Sequence, residues 1–156
     1  MSDDTSKPTK DSVVSLREVT KENLDDVLTL KVKPDQQNFV ASNAVSIAEA
    51  HFEPKAWFRA IYADEAAVGF VMLYDDPQTG EYFLWRFMID ARYQGLHFGE
   101  RAIQLLVDYV RTRPEATELL LSYVPAEGSP QPFYSRLGFV DTGEVSDGEN
   151  VMRLVL

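Results

Sequence analysis

The segment RYQGLHFGER (92–101) carries the residues whose types and spacing are best suited to chemistry. It follows the apolar run YFLWRFMID (82–90) and precedes a stretch of helical periodicity, so it is a turn between a strand and a helix. The first amides of a helix have no intrahelical partners, and they lie at the positive end of the helix dipole. Gly95 and Gly99 remove side chains from the approach path of a ligand. The segment therefore predicts an anion-binding turn.

The same residues exclude several other kinds of site. The turn lacks the three-glycine pattern of a dinucleotide-binding strand and the Gly-Lys-Ser/Thr of a P-loop. The chain has no cysteine, which excludes disulfides, thiolate metal sites and a cysteine nucleophile. His51 and His97 are its only histidines, so we expect no metal site.

Hydrophobic periodicity elsewhere predicts the elements that must position this turn. The expected order is β, α, α, β, β, β, α, β, α, β, β, in which an antiparallel meander passes into one β-α-β crossover. This order predicts an α/β fold with a mixed, mostly antiparallel sheet and helices on both faces. The first helix is expected over 21–32 with Thr20 as its N-cap. Residues 1–12 are predicted to be a disordered tail, and residues 13–156 to form one domain.

Composition narrows the possible partners. The 156 residues carry a formal net charge of −10, which disfavours nucleic acid and anionic membranes and attracts cations. No run of apolar residues is long enough to span a membrane, and the polar N-terminus lacks the apolar core of a signal peptide. We therefore expect a cytoplasmic protein with neither a membrane nor a nucleic acid as partner.

Two motifs together resemble those of a known family. RFMIDARYQGLHFGERAI (86–103) resembles motif A of the GNAT superfamily of N-acyltransferases, whose backbone amides hold the pyrophosphate of acetyl-CoA. FYSRLGF (133–139) resembles the later tyrosine-containing signature of that superfamily, and the order of elements matches its fold over 14–156. Outside the tail, the chain is similar to the spermine/spermidine (diamine) N-acetyltransferase-like branch. The resemblance implies direct transfer of an acetyl group from acetyl-CoA to a primary amine of a small polycation in a ternary complex.

The resemblance also implies which residues bind the cosubstrate. They are Phe87, Met88, Ile89, Gln94, Gly95, Leu96, His97, Phe98, Gly99 and Glu100. His97 stands where the motif has its first glycine. If that position required a positive φ, histidine would be strained. We predict instead that His97 lies in the first helical turn, with its imidazole directed away from the amides and free to contact a phosphate.

Two residues are candidates for proton transfer. Tyr134 matches the family tyrosine that donates a proton to the departing thiolate, a role that a phenol with a pKa of about 10 can fill. The alternative is a tyrosine that packs on the cosubstrate without a proton role. Glu81, at the start of the motif-A strand, is the candidate general base, or else a solvated strand end. Where many relatives have an asparagine that contacts pantetheine, this chain has Glu127.

The resemblance implies an acceptor pocket built largely from residues 31–50. A polyamine requires carboxylates for its ammonium groups and apolar walls for its methylenes. The candidate acceptor-binding residues are Asp35, Asn38, Phe39 and Glu49, with Asp75 and Asp76 as further charges. The alternative is a polar loop that covers the sheet.

Two other functions stay open at this point. One is acetylation of a different amine, namely an amino acid, an aminoglycoside or a protein N-terminus. The other is a non-catalytic, CoA-binding regulatory module, in which His97 and Glu127 reflect weakened catalysis. Many relatives pair through their late strands, so the resemblance also raises a homodimer as one possible assembly.

Overall fold

The strand-forming segments of the sequence pair into one seven-stranded sheet. The structure is a computed structural model and describes residues 7–156. Its elements are β1 (Val14–Arg17), α1 (Leu24–Thr29), a 3₁₀ turn (Pro34–Gln36), α2 (Asn43–His51), β2 (Ala56–Ala63), β3 (Ala66–Asp76), β4 (Glu81–Ile89), a second 3₁₀ turn (Ala91–Tyr93), α3 (Phe98–Arg111), β5 (Glu118–Tyr123), α4 (Gln131–Arg136), β6 (Val140–Ser146) and β7 (Glu149–Val155). The predicted order of helices and strands is confirmed.

The strands follow the order β1-β2-β3-β4-β5-β7-β6. β4 and β5 pair in parallel, and every other neighbouring pair in the described chain is antiparallel. β3 is central and mostly buried, which explains why AAVGFVMLYDD reads as an apolar run rather than an alternation. The predicted mixed, mostly antiparallel sheet is therefore confirmed.

β4 and β5 separate in the middle of the sheet. Their ladder consists of only two pairs, Phe83 with Leu120 and Leu84 with Leu121, although β4 continues to Ile89. At the point of separation Trp85 is an extra residue in β4, because Leu84 and Arg86 oppose consecutive residues of β3. A bulge of this kind bends its strand and ends pairing. The opening between the two strands is thus built into the sheet.

The helices cover both faces of the sheet, as predicted. α3 buries one apolar stripe, which includes Ile103, Leu106 and Val110, in a core that it shares with Tyr134 of α4. Burial of each such side chain stabilises the fold by about 1.5–3 kcal/mol. Val27 of α1 belongs to a second, smaller core, against which Ile47 of α2 packs. The sheet lies between these two cores.

Two predicted boundaries differ from the structure. α1 begins at Leu24 rather than at residue 21, because the Asn23 side chain accepts a hydrogen bond from the Thr20 amide and closes a turn before the helix. Thr20 is therefore not the N-cap. Residues 1–6 of the predicted tail lie outside the described residues. In the rest of that segment Ser12 is buried, and its side chain accepts a hydrogen bond from the Thr9 amide.

Candidate active site

The separated strands open onto a cavity of about 1200 Å³. Its lining comes from β4, β5, the loop between α1 and α2, the turn before α3, α4 and the β6–β7 hairpin. The predicted site residues that line it are Asn38, Phe39, Phe87, Met88, Ile89, Gln94, Gly95, His97, Phe98, Gly99, Glu100 and Tyr134. Leu96, Glu81, Asp35 and Glu49 are predicted site residues that do not line it.

The turn before α3 contains two residues in the left-handed region. Gly95 has φ 83°, and a Cβ added there would meet no atom within 4 Å. His97 has φ 65° and ψ 16°, directly before Phe98, the first residue of α3. The prediction that His97 lies in the first helical turn is therefore wrong. For a non-glycine residue the left-handed conformation is strained, so surrounding contacts must hold it.

The amides that follow His97 are free to bind a ligand. No side chain caps α3, and its first backbone bond runs from the Arg101 amide to the His97 carbonyl. The amides of Phe98, Gly99 and Glu100 therefore donate to no acceptor within residues 7–156. Unpartnered amides at a helix N-terminus form an anion site. His97 Nδ1 lies 3.5 Å from Glu100 Oε1, and the His97 side chain is 67% exposed.

Gln94 connects this turn to the loop that precedes α2. Its amide group and that of Gln36 exchange two hydrogen bonds, of 2.9 and 3.2 Å. Gln94 Nε2 also donates to the Ile89 carbonyl at 2.9 Å. The carbonyl of Ile89 is therefore already engaged.

The Asp90 amide bonds to Val68 of β3. By the alternation of an antiparallel ladder, the backbone groups of Met88 therefore face β3 as well. Phe87 is the predicted position whose backbone groups remain at the strand opening.

Tyr134 lies beneath the cavity within a group of aromatic rings. It packs edge-on against Phe133 and Phe139, and Phe133 stacks on Phe87 at a centroid distance of 5.9 Å. The tyrosine is only 8% exposed, and its hydroxyl makes no hydrogen bond within residues 7–156. Burial raises the pKa of Tyr134 well above its ordinary value. The phenol therefore keeps its proton throughout the neutral range.

The structure separates Glu81 from the cavity. Glu81 begins β4 at the far end of the strand from the turn, opposite Asp76 of β3, and is exposed. Nine residues of strand extend over about 30 Å, so its carboxylate is remote from the helix N-terminus. The lining therefore includes no base at the position that the sequence indicated.

The candidate acceptor residues divide into two groups. Asn38 and Phe39 line the cavity, and Phe39 approaches the loop at Gly128, where an added Cβ would lie 3.9 Å from its ring. Asp35 is exposed on the 3₁₀ turn that begins at Pro34. Glu49 forms an ion pair with Arg86, whose Nη2 lies 3.1 and 3.3 Å from its two carboxylate oxygens.

Four charged residues in the lining were absent from the predictions, namely Arg86, Arg136, Asp147 and Glu149. Arg86 of β4 lines the cavity, and its Nε is buried without a partner in the described chain. Asp147 and Glu149 line it from the β6–β7 hairpin, and Ser122 Oγ donates to Glu149 at 3.0 Å. The sequence does contain one relevant signal, since the Asp-Gly of SDGE is a hairpin turn. It does not indicate what the tip of the hairpin contacts.

The remaining predicted charges have structural partners elsewhere. Tyr109 Oη donates to the buried Asp75 at 2.6 Å, and Arg113 Nε donates to it at 3.0 Å. Burial, followed by the bond to Asp75, raises the pKa of Tyr109 to about 12. Asp76 pairs with Lys55 at 3.1 Å. Neither aspartate lines the cavity, so the prediction that they supply acceptor charge does not agree with their position.

Solved structures share the architecture of this chain. The chain aligns with the PaiA N-acetyltransferase of Thermoplasma acidophilum, crystallised in complex with coenzyme A, with a TM-score of 0.71 and 14% identity over 92% of this chain and 99% of that one. A domain from Methanocaldococcus jannaschii aligns with a TM-score of 0.75 and 15% identity, over 94% and 100% of the two chains. These likenesses establish the fold.

The sequence assigns the family. Residues 18–139 match the acetyltransferase (GNAT) family, and the chain therefore belongs to it. It is 29% identical over 150 residues to the spermine/spermidine N(1)-acetyltransferase of Bacillus subtilis (strain 168), a match that covers 89% of this chain and 96% of the relative. A probable spermine N(1)-acetyltransferase of Bacillus subtilis subsp. natto is 28% identical over the same shares. The chain is an acetyl-CoA-dependent N-acetyltransferase.

Proposed function

We propose that this enzyme acetylates a primary amine of a small polycation of the spermine and spermidine type. The observation that carries the choice of acceptor is the pair of hairpin carboxylates, Asp147 and Glu149, in the wall of a cavity that also contains aromatic surfaces. Two relatives that match most of the chain are named for spermine or spermidine. The formal net charge of −10 favours approach of a cation.

The turn before α3 fits the pyrophosphate of acetyl-CoA. The unpartnered amides of Phe98, Gly99 and Glu100 supply several donors to one anion at the positive end of a 14-residue helix. When bound, acetyl-CoA supplies a thioester, whose acetyl group moves to the amine nitrogen while the C–S bond breaks. Phe87, beyond the last β4–β5 pair, offers its backbone groups along the opening to the cosubstrate arm.

Tyr134 is the proton donor for the departing sulfur. Burial raises the pKa of Tyr134 and so makes the phenol a weaker acid, but its hydroxyl has no competing partner among residues 7–156 and can hydrogen-bond to the sulfur. As negative charge develops on the sulfur, Tyr134 donates a hydrogen bond and then its proton to it. The amine nitrogen loses one proton as the new N–C bond forms, and water carries a proton back to the phenolate, so that a neutral amide, a thiol and the phenol remain. The rings of Phe133 and Phe139 fix the phenol in place.

Asp147 and Glu149 bind ammonium groups of the acceptor that do not react. Pairing of an ammonium with the half-buried Glu149 contributes about 1.5–3 kcal/mol, and pairing with the exposed Asp147 contributes about 0.2–1 kcal/mol. Phe39 and Trp85 offer apolar surface to the methylene chain. Neutralisation of both carboxylates by D147N and E149Q should therefore raise KM for spermidine roughly thirtyfold or more. Glu144→Gln, on the same hairpin but outside the cavity lining, is the matched control.

Arg86 favours a second candidate, an acceptor that carries a carboxylate, such as an amino acid. A buried guanidinium Nε without a partner is costly, and a carboxylate bound to it would offset that cost. Glu49 already neutralises the other side of the group, which favours the polycation as the first candidate. The two candidates differ in the expected effect of Arg86→Gln, because only a carboxylate acceptor depends on the guanidinium for binding.

Turnover of acetyl-CoA against a panel of amines tests the proposal. The panel comprises spermine, spermidine, putrescine, lysine and an aminoglycoside, and thiol release is measured at fixed acetyl-CoA. We expect the highest kcat/KM with spermine or spermidine. A preference for lysine that is lost in R86Q would favour the second candidate. CoA binding without turnover of any amine would favour a non-catalytic module.

The role of Tyr134 has its own test. Tyr134→Phe removes only the hydroxyl, so we expect kcat to fall by about 10²–10⁴-fold. The Kd of CoA, measured by calorimetry, should change by less than about threefold, because the ring that packs on Phe133 is retained. An unchanged kcat would show that Tyr134 packs at the site without transferring a proton.

A further inference from the structure

The guanidinium group of Arg101 gathers four backbone carbonyls beside the turn before α3. Its Nη2 donates to Leu96 at 3.2 Å and its Nε to His97 at 3.4 Å. Its Nη1 donates to Ser12 at 2.6 Å, and its Nη2 donates also to Lys10 at 2.9 Å. Lys10 and Ser12 are 91 and 89 residues away in the chain. Arg101 therefore joins the N-terminal segment to the turn.

These bonds act on the one strained residue of the anion site. For Phe98, Gly99 and Glu100 to present amides to an anion, the preceding carbonyls must be directed elsewhere, and Arg101 supplies donors for those of Leu96 and His97. His97 adopts φ 65°, which glycine adopts freely and histidine does not. Its side chain is mostly exposed, and its one polar contact within residues 7–156 is with Glu100, so it contributes little to holding that conformation.

Other contacts hold the guanidinium group itself in place. It lies over the ring of the buried Phe98, 5.3 Å from the ring centroid. Ser12 is buried, and the Thr9 amide donates to its hydroxyl at 2.9 Å, so its carbonyl is offered from a fixed turn. Within residues 7–156 no carboxylate pairs with Arg101, and backbone carbonyls are its polar partners.

We infer that Arg101 is a positioning residue that keeps His97 in the left-handed conformation required for binding of the acetyl-CoA pyrophosphate. Arg101, together with the carbonyls of Lys10, Ser12, Leu96 and His97, forms what we call the Arg101 clamp. At this position a glycine would adopt the left-handed conformation without support. The clamp offsets the strain of the same conformation in His97. This inference rests on the proposed binding of acetyl-CoA at the turn.

The clamp is tested by measuring the Kd of CoA for Arg101 variants by calorimetry. If the turn relaxes when the clamp is lost, binding must first restore the strained conformation, which weakens affinity by about five- to thirtyfold. We expect this loss for Arg101→Gln. We expect a similar loss for Arg101→Lys, because one ammonium cannot span four carbonyls although it keeps the charge. Arg111→Gln, which removes the same charge from the last turn of α3, is the control.

A second substitution distinguishes support of the turn from direct contact with a phosphate. In a His97→Gly background the turn needs no clamp, so adding R101Q should change the Kd of CoA by less than about threefold. If R101Q weakens binding equally in both backgrounds, the clamp is refuted and Arg101 contacts the ligand. If R101K restores wild-type affinity, charge rather than positioning is responsible, and the inference is again wrong.

Amide hydrogen exchange in the CoA-free enzyme tests the Arg101 clamp in the absence of ligand. R101Q should increase exchange at the amide of residue 101, which bonds to the His97 carbonyl, and in residues 9–13, since both regions lose the shared guanidinium. Removal of residues 2–12, but not of residues 2–6, should reproduce the increase at residue 101. Unchanged exchange at the amide of residue 101 in R101Q would refute the inference. Absence of CoA binding to the wild-type enzyme would instead contradict the proposed function, so the two failures are distinguishable.

Discussion

Asp90 joins the turn before α3 to the loop between α1 and α2. Its substitution should lower the free energy of unfolding substantially. This buried residue directly follows β4, and its Oδ2 accepts a hydrogen bond from the Lys31 amide at 2.9 Å. Its Oδ1 accepts from the amide of Arg92 at 2.9 Å and from the Nε of Arg92 at 2.8 Å. Both carboxylate oxygens therefore act only as acceptors. An asparagine in the same place must direct an NH₂ group at one of these donors.

The expected loss in the free energy of unfolding for Asp90→Asn follows from those contacts. In the better orientation the amide oxygen serves Arg92, and the amide of Lys31, whose bond is partly buried, loses its acceptor, at a cost of about 1–2 kcal/mol. Loss of the charge on the bonds from Arg92 adds about 1 kcal/mol. We expect the free energy of unfolding to fall by about 2–3 kcal/mol, or Tm by roughly 5–10 °C for a chain of this size.

Urea denaturation followed by tryptophan fluorescence measures this change at pH 7. Asp11→Asn is the control, because Asp11 is exposed and its carboxylate makes no hydrogen bond in the described chain. That variant should lie within about 0.5 kcal/mol of the wild type. A loss below about 0.5 kcal/mol for D90N would refute the argument that Asp90 is an obligatory acceptor.

The same pair of proteins gives a pH dependence with a definite sign. Burial alone would raise the pKa of Asp90, but hydrogen bonds from Arg92 and Lys31 outweigh it and lower the pKa below its ordinary value. The stability that this carboxylate contributes is therefore present above the unfolded pKa of about 3.9 and is lost as pH falls towards the lower folded value. The difference between wild type and D90N should be constant from pH 7 to about pH 5 and should shrink below about pH 4.

Two glycines give further predictions. Gly69→Ala would place a Cβ 2.4 Å from the Met88 carbonyl oxygen, so β3 and β4 must move apart, and we expect Tm to fall by roughly 10 °C or more. Gly99→Ala would place a Cβ 3.2 Å from Cζ of Phe133, a ring that can shift by a few tenths of an ångström. We expect kcat to fall roughly three- to tenfold, because Phe133 packs on Tyr134, while Tm changes by less than about 4 °C. Steady-state kinetics that match the wild type would contradict this reasoning.

The order of elements could be predicted because each depends on a local pattern. The apolar stripe of α3 has helical spacing, and the turn at Asp64 and Glu65 separates two β-rich runs of the predicted hairpin. Tyr134 could be found because the motif that contains it is local. The ends of elements were less predictable, since the start of α1 is set by a side-chain bond from Asn23 rather than by propensity.

His97 was beyond a sequence argument for a different reason. Its conformation depends on Arg101, and two of the carbonyls that fix the guanidinium come from residues 10 and 12, in a segment whose composition predicts a tail. Such pairings lie about 90 residues apart and leave no periodic signal. The sequence shows that His97 replaces the motif glycine. Only the three-dimensional structure shows that Arg101 supports the conformation that a glycine would adopt unaided.

The acceptor side illustrates how far net charge can mislead. The chain carries ten excess negative charges, yet the charged lining of the cavity comprises three carboxylates (Glu100, Asp147 and Glu149) and two guanidinium groups (Arg86 and Arg136), which leaves a single excess negative charge. Charges farther away than about 10 Å are largely screened at physiological ionic strength. The overall charge can therefore bring a cation to the enzyme but cannot select it. Selection must come from the positions of these few groups, and for that reason substitution at the hairpin should affect KM while neutralisation of exposed acids elsewhere should not.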